Sequence, residues 1–277
     1  METRYPFHPN TIKNFTTAEL RDEFLIPTLF VDGELTLVYS HIDRVIVGGA
    51  APLTDSILLT ADLKDMGVEY FLQRREVGVI NVGGVGTITV DGTAYQMNPH
   101  DCLYVSLGIK DVQFASQDAS QPAHFYFISV PAHMSHPTTY IPIADAEPVH
   151  LGSISNSNER TIYKYIHPDG VKSCQLVMGL TLLEPNNMWN TMPAHVHARR
   201  MEVYFYFNIP GENVVFHLMG EPQETRHIVV RNEQAVISPS WSIHAGMGTG
   251  AYAFIWAMAG ENQTFTDMDA VPLSSLL

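Results

Sequence analysis

Cysteine is scarce in this chain, with two in 277 residues, and Cys102 and Cys174 lie far apart in strand-like sequence. Such a pair fits buried thiols rather than a disulfide framework, which points to a reducing compartment. Basic residues are also few: Lys and Arg number 15 against 29 Asp and Glu, for a formal net charge of -14. That balance excludes nucleic acid as a partner, because phosphate binding needs clustered cations. An acidic small molecule stays open, since local arginines can outweigh a distant net charge. Long hydrophobic runs are missing too. The longest, residues 251–259, is too short to span a bilayer and reads as a buried strand. The first residues carry no apolar signal segment, so no membrane is expected and the location is expected to be cytoplasmic. Helix signals are sparse. Thr16 with Glu19 forms a capping box that opens a short amphipathic helix through Phe24, and residues 61–66, stopped by Gly67, give a turn or two.

What remains is strand. Short apolar runs such as 36–39, 44–47, 77–82, 87–90, 111–115 and 124–130 are punctuated by Gly, Pro, Asn and Asp. This spacing predicts an all-β protein built as sandwich or barrel. Gly83-Gly84-Val85-Gly86 invites a nucleotide reading, but it lies between two strands with no helix to receive a phosphate. Glycines allowing hairpin backbone angles explain it better, and Asp91-Gly92 is a second hairpin turn.

The two halves echo each other. Residues 73–82 resemble 198–207, and 106–110 lie where the second half has 240–244. Two copies of one β unit are expected, residues 1–150 and 151–277, joined by the Pro-rich stretch 137–148.

The chemistry concentrates in the second copy. His195 and His197 are two apart, so on an extended chain both imidazoles face one side. Glu202 returns to that side if the chain turns through residues 198–200. His244 follows a Pro-containing turn at 238–242. Neutral imidazoles and a carboxylate converging on one point suit a divalent transition metal. In the first copy the His-x-His positions hold Tyr70 and Leu72, and Lys110 falls opposite His244. A Lys cannot replace a neutral imidazole at neutral pH without a large pKa shift, so the first lobe reads as metal-free and structural.

His-x-His, Glu, a Pro turn and a late His resemble the two motifs of the cupin superfamily, small jelly-roll barrels with a metal in the barrel mouth. Residues 190–207, 221–227 and 232–244 are similar to the 5-keto-4-deoxyuronate isomerase family, as are 39–44 and 78–92. The resemblance covers nearly the whole chain. It implies a two-lobed cupin, two jelly-roll barrels with few short helices, holding zinc through His195, His197, Glu202 and His244. Manganese, iron or cobalt could take the same ligands. It also implies conversion of 4-deoxy-L-threo-5-hexosulose uronate to 3-deoxy-D-glycero-2,5-hexodiulosonate in pectin and uronate degradation, by a homohexamer.

Such a reaction must move a proton from C2 to C1, and a metal would stabilise the enediolate between them. Tyr204 and Tyr206 share the face of Glu202 by alternation, and Gln175 lies on a strand-like run, so these three are the candidate catalytic groups. The substrate carboxylate needs a cation, with Arg199, Arg200, Arg160 and Lys164 as candidates. The same four ligands could serve a metal-dependent oxygenase or decarboxylase, or a sugar-binding cupin without activity.

Overall fold

The structure is a computed structural model that describes residues 1–264 and 266–277. The chain divides into two compact units, each discontinuous in sequence. One comprises Met1–Arg4, Thr28–Glu147 and Tyr165–Met178; the other comprises Tyr5–Pro27, Pro148–Lys164 and Gly179–Leu277. A single cut at 150 differs from this division in two exchanges. Tyr5–Pro27 joins the second unit because Leu25 and Ile26 pair antiparallel with Val236 and Ala235. Arg21 also donates to the carbonyl of Val229, and Arg226 donates to that of Phe15. Residues 165–178 join the first unit, where the Glu76 carboxylate accepts the backbone N–H groups of Cys174, Gln175 and Leu176.

The two units share one order for the five central strands of the large sheet and for the smaller sheet, as expected for a duplicated all-β cupin, while the edge strands of the large sheets differ. The first has a seven-stranded sheet running Glu2–Arg4, Leu35–Ser40, Ile46–Ala50, Phe125–Pro131, Arg75–Asn81, Cys102–Val105, Thr139–Ile141. Its second sheet runs Ile57–Leu58, Val112–Ser116, Gly86–Val90, Thr93–Met97. The later sheets run Pro148–Leu151, Arg160–Ile166, Val177–Leu183, Ala253–Gly260, Arg200–Phe207, Gln234–Ser238, Leu25–Ile26, and Trp189–Asn190, Ala245–Gly248, Val215–Glu221, Glu224–Val230.

Local signals account for the punctuation. Thr16 and Glu19 make the reciprocal capping box ahead of the helix Thr17–Phe24. Gly67 ends the helix Leu63–Met66 in the left-handed region, at φ 64°. Asp91 and Gly92, at φ 43° and 84°, close the hairpin between Gly86–Val90 and Thr93–Met97. Gly83 and Gly84 have a different reason from the one expected. Neither has a positive φ, but a Cβ on either would overlap the backbone of residues 121–124. They are needed for close approach rather than for hairpin angles.

The equivalent strands Arg75–Asn81 and Arg200–Phe207 show why the two interiors differ. Counting from their opening arginines, Val77 falls where the second unit has Glu202, and Leu72 falls where it has His197. Leu72 and Val77 are buried in an apolar cluster with Val79, Leu103, Val105, Phe114 and Phe127. Glu76 sits one residue out of phase, so its side chain belongs to the opposite face, where the Tyr104 hydroxyl also donates to it at 2.8 Å.

Candidate metal centre and cavity

The strand Arg200–Phe207 is buried along its whole length and runs between Ala253–Gly260 and Gln234–Ser238. Glu202 faces Met258 on one side and Ser238 on the other. The chain ahead of it reverses through a turn closed by Arg200 N–H to His197 O at 3.0 Å, which returns Glu202 to the histidines. His195 belongs to a short strand, His195–Val196, paired with Asp269–Ala270. His244 follows a turn closed by Ser242 N–H to Pro239 O at 3.0 Å, and Ser242 Oγ accepts the N–H of Gly220.

These segments bring His195, His197, Glu202 and His244 together, with one ligand atom from each lying within 4.8 Å of the others. His195 Nε2 is 2.9 Å from His197 Nε2 and 3.0 Å from His244 Nε2. Glu202 Oε2 is 3.4 Å from His197 Nε2 and 3.0 Å from His244 Nε2. Four donors about 2.0–2.2 Å from a central ion would stand roughly 3.3 Å apart in a tetrahedron. The spacing and the donor chemistry therefore fit a divalent cation. Protonation is compatible: burial first, then the neighbouring His244, lowers the pKa of His195 to about 3, leaving a neutral imidazole. Burial alone would raise that of Glu202, but His244 and His197 outweigh it and hold the carboxylate well below its usual range.

His197 carries a further partner. Its Nδ1 lies 3.0 Å from the carbonyl of Asp267 and 3.0 Å from Arg200 Nη2, which itself donates to the same carbonyl at 2.9 Å. One arrangement satisfies both, with Nδ1–H and Nη2–H donating to Asp267 O and Nε2 left facing the cluster.

A cavity of about 230 Å³ opens on the cluster, lined entirely by residues of the second unit. Leu151, Ile162, Phe254, Trp256, Met258 and Met268 give it apolar walls. Arg160, Thr181, Asn190, Thr191 and Tyr204 supply polar groups beside His195, His197 and Glu202. Among the described lining residues Arg160 is the one Lys or Arg. Its Nη1 donates to Asn158 O at 2.8 Å, while its Nε is buried without a hydrogen-bond partner. Burial lowers its pKa.

The other candidates are placed elsewhere. Arg199 is engaged by the Asp267 and Asp269 carboxylates, and Arg200, 1% exposed, by the carbonyls of Thr264 and Asp267. Their side chains are spent on the chain itself because the turn between His197 and Glu202 runs beside the C-terminal segment. Lys164 lies two residues past Ile162 on its strand and is not among the residues lining the cavity. Gln175 belongs to the first unit, donating its backbone N–H to Glu76 and its amide to Pro131 O, so it is corrected to a structural amide. Tyr206 is fully buried and bonds His217 Nδ1 at 2.8 Å, away from the lining. Tyr204 does line the cavity, 5.4 Å ring to ring from His244. Burial, then the Glu202 charge, raises its pKa well above the ordinary phenol, so it stands as a donor. Phe254, Trp256 and Met258 carried a usable signal, the period-two spacing of an apolar strand. The Asp267 carbonyl carried none, because a backbone group has no residue signature.

The chain matches the model of the KduI/IolB family over residues 26–272. It is 59% identical over 276 residues, covering 100% of both chains, to a 4-deoxy-L-threo-5-hexosulose-uronate ketol-isomerase of Caldicellulosiruptor bescii. Among solved structures it is similar to an IolB-like protein of Salmonella typhimurium, at TM-score 0.73 and 14% identity, covering 90% of this chain and 97% of that one. A Bacillus subtilis oxalate decarboxylase mutant matches at TM-score 0.59 and 10% identity, covering 90% and 79%, which shows a shared cupin fold and nothing of activity.

Proposed function

Because the chain belongs to the KduI/IolB family, we propose that this isomerase converts 4-deoxy-L-threo-5-hexosulose uronate to its 2-keto isomer, 3-deoxy-D-glycero-2,5-hexodiulosonate, at the cavity of the second unit. The observation that carries the reading is the convergence of three imidazoles and one carboxylate beside a cavity also lined by Arg160, whose Nε has no hydrogen-bond partner. His195, His197, Glu202 and His244 would hold a divalent ion, with zinc as our proposal and manganese, iron or cobalt compatible with the same donors. Bound there, such an ion supplies Lewis-acid polarisation of the aldehyde and stabilises negative charge on the substrate oxygens.

The chain's own residues do the rest. Arg160 binds the substrate carboxylate through its unpaired edge, fixing which end of the sugar acid faces the histidines. Tyr204, kept as a phenol by burial, donates a hydrogen bond to a substrate oxygen and steadies the charge that develops as the C2 proton leaves. The apolar walls from Phe254, Trp256 and Met258 exclude water, which strengthens both contacts. Proton balance is closed: one proton leaves C2 and one arrives at C1 by way of an enediolate, while the hydroxyl proton passes from O2 to O1. The aldehyde becomes CH₂OH and the C2 alcohol becomes a ketone.

The substrate class places the reaction in the breakdown of unsaturated uronates such as those from pectin. Two unpaired cysteines suit a reducing, cytoplasmic setting, and family resemblance supports a homohexamer. Turnover in deuterated water should place deuterium on the new CH₂OH carbon, C1 in the substrate's numbering, with no oxygen consumed. Full retention of the substrate hydrogen on that carbon would leave a shielded base or a hydride shift, and the enediolate would be withdrawn; oxygen uptake or carbon dioxide release would overturn isomerisation.

A further inference from the structure

We propose that the C-terminal strap, Thr264 with residues 266–271, is a working part of the ion site, and that Asp267 is a positioning residue for His197. The proposal rests on the reading of His195, His197, Glu202 and His244 as ligands.

The strap touches three of the four ligand segments. Ala270 pairs with His195 and Asp269 with Val196. Val271 donates its N–H to Ala194 O at 3.0 Å and packs with Ala194 and Ile243, the residue preceding His244. Asp267 O accepts from His197 Nδ1 at 3.0 Å. If Nε2 of His197 faces the ion, Nδ1 must carry the proton, and a buried N–H without an acceptor is strongly disfavoured. Asp267 O is the acceptor that fixes both the tautomer and the ring plane.

Two consecutive arginines grip the strap from opposite sides. Arg200 reaches it from within, donating to Thr264 O at 2.7 Å and Asp267 O at 2.9 Å. Arg199 reaches it from solvent, with Nη2 2.6 Å from Asp267 Oδ1 and 3.0 Å from Asp269 Oδ2, and Nε 2.8 Å from Asp267 Oδ2. Asn262 also donates to the Asp267 carboxylate at 2.6 Å. Arg199 is 41% exposed, so its ion pairs contribute little to global stability. Their effect is therefore on where the Asp267 carbonyl sits.

The test uses the full-length protein stripped of metal and titrated with Co(II), followed by calorimetry and the visible d–d spectrum. Asp267→Ala and Arg199→Ala should each weaken Co(II) binding about 10–100-fold, the range seen when a partner behind a metal-ligating histidine is lost. Both should alter the d–d bands while the metal-free melting temperature stays at the wild-type value. The effects of the two single variants should be less than additive in the double variant, because Arg199 and Asp267 share an ion pair. Should Arg199→Ala fold poorly, Arg199→Gln gives the same comparison with less disturbance. Variant affinities within twofold of wild type would overturn the role of the strap while leaving the ion site standing. Failure of the wild-type chain to bind one Co(II) would overturn the ion reading itself, and this inference with it.

Discussion

Replacing Arg160 by Met removes a cation while keeping most of the side-chain volume, and its consequence can be sized from the structure. One guanidinium nitrogen is already committed to Asn158 O, but Nε is buried with no partner, and burial lowers the pKa of the group. A partly desolvated, incompletely satisfied guanidinium gains more from a carboxylate than one in water does. Two charge-assisted hydrogen bonds through the unpaired edge contribute about 3–4 kcal/mol, roughly two to three decades in kcat/KM at 1.36 kcal/mol per decade. The loss should fall mainly on KM, since the carboxylate takes no part in the proton transfer. Arg160→Lys keeps the charge but not the fork and should lose about tenfold. The assay is steady-state kinetics on the uronate, with metal content and melting temperature measured on the same samples. A kcat/KM for Arg160→Met within threefold of wild type, at full metal occupancy, would refute the assignment.

Two further outcomes follow from the same geometry. His197→Ala should lose the bound metal and, with it, activity on the order of 10³-fold, the several kcal/mol that Lewis-acid stabilisation supplies. The circular dichroism spectrum should stay unchanged because the sheet core is apolar, and stoichiometric metal in this variant would contradict the ligand set. Acid stability should respond to two imidazoles, the half-buried His195 and the buried His217, whose pKa values are lowered from 6.5 to about 3, by desolvation first and then by His244. Between those values the unfolded chain takes up protons that the folded chain does not. The metal-free protein should therefore hold its full stability above pH 6.5 and lose about 1.4 kcal/mol per pH unit for each histidine as the pH falls. Urea unfolding at a series of pH values measures this, and a flat profile from pH 7 to 5 would contradict it.

Much of the fold was legible because the positions of strands and turns here follow local pattern. Period-two apolar runs, the Thr16–Glu19 capping box and the Asp91-Gly92 turn each act within a few residues, and each appears in the structure. The pairing of His195 with His197, and of both with Glu202 and His244, was visible as residue types at a spacing. The repeat and its phase were visible, but the use each unit makes of its carboxylate was not. Val77 stands where the second unit has Glu202, and Glu76, one residue earlier, faces the other side of the strand, where it accepts from residues 104 and 174–176.

By itself, then, the amino-acid sequence determined the all-β duplication, the sparse helices and the identity of the four converging side chains. All of these rest on propensity, parity and chemistry carried by neighbouring residues. Only the tertiary structure decided which arginine meets the cavity, that Leu25 and Ile26 complete a sheet of the second unit, and that Gln175 serves Glu76 and Pro131 in the first. It also decided that Asp267 offers His197 its backbone oxygen. These depend on partners dozens to hundreds of residues away, and on carbonyl groups that every residue possesses alike. Chain topology selects them, and local sequence does not record the choice.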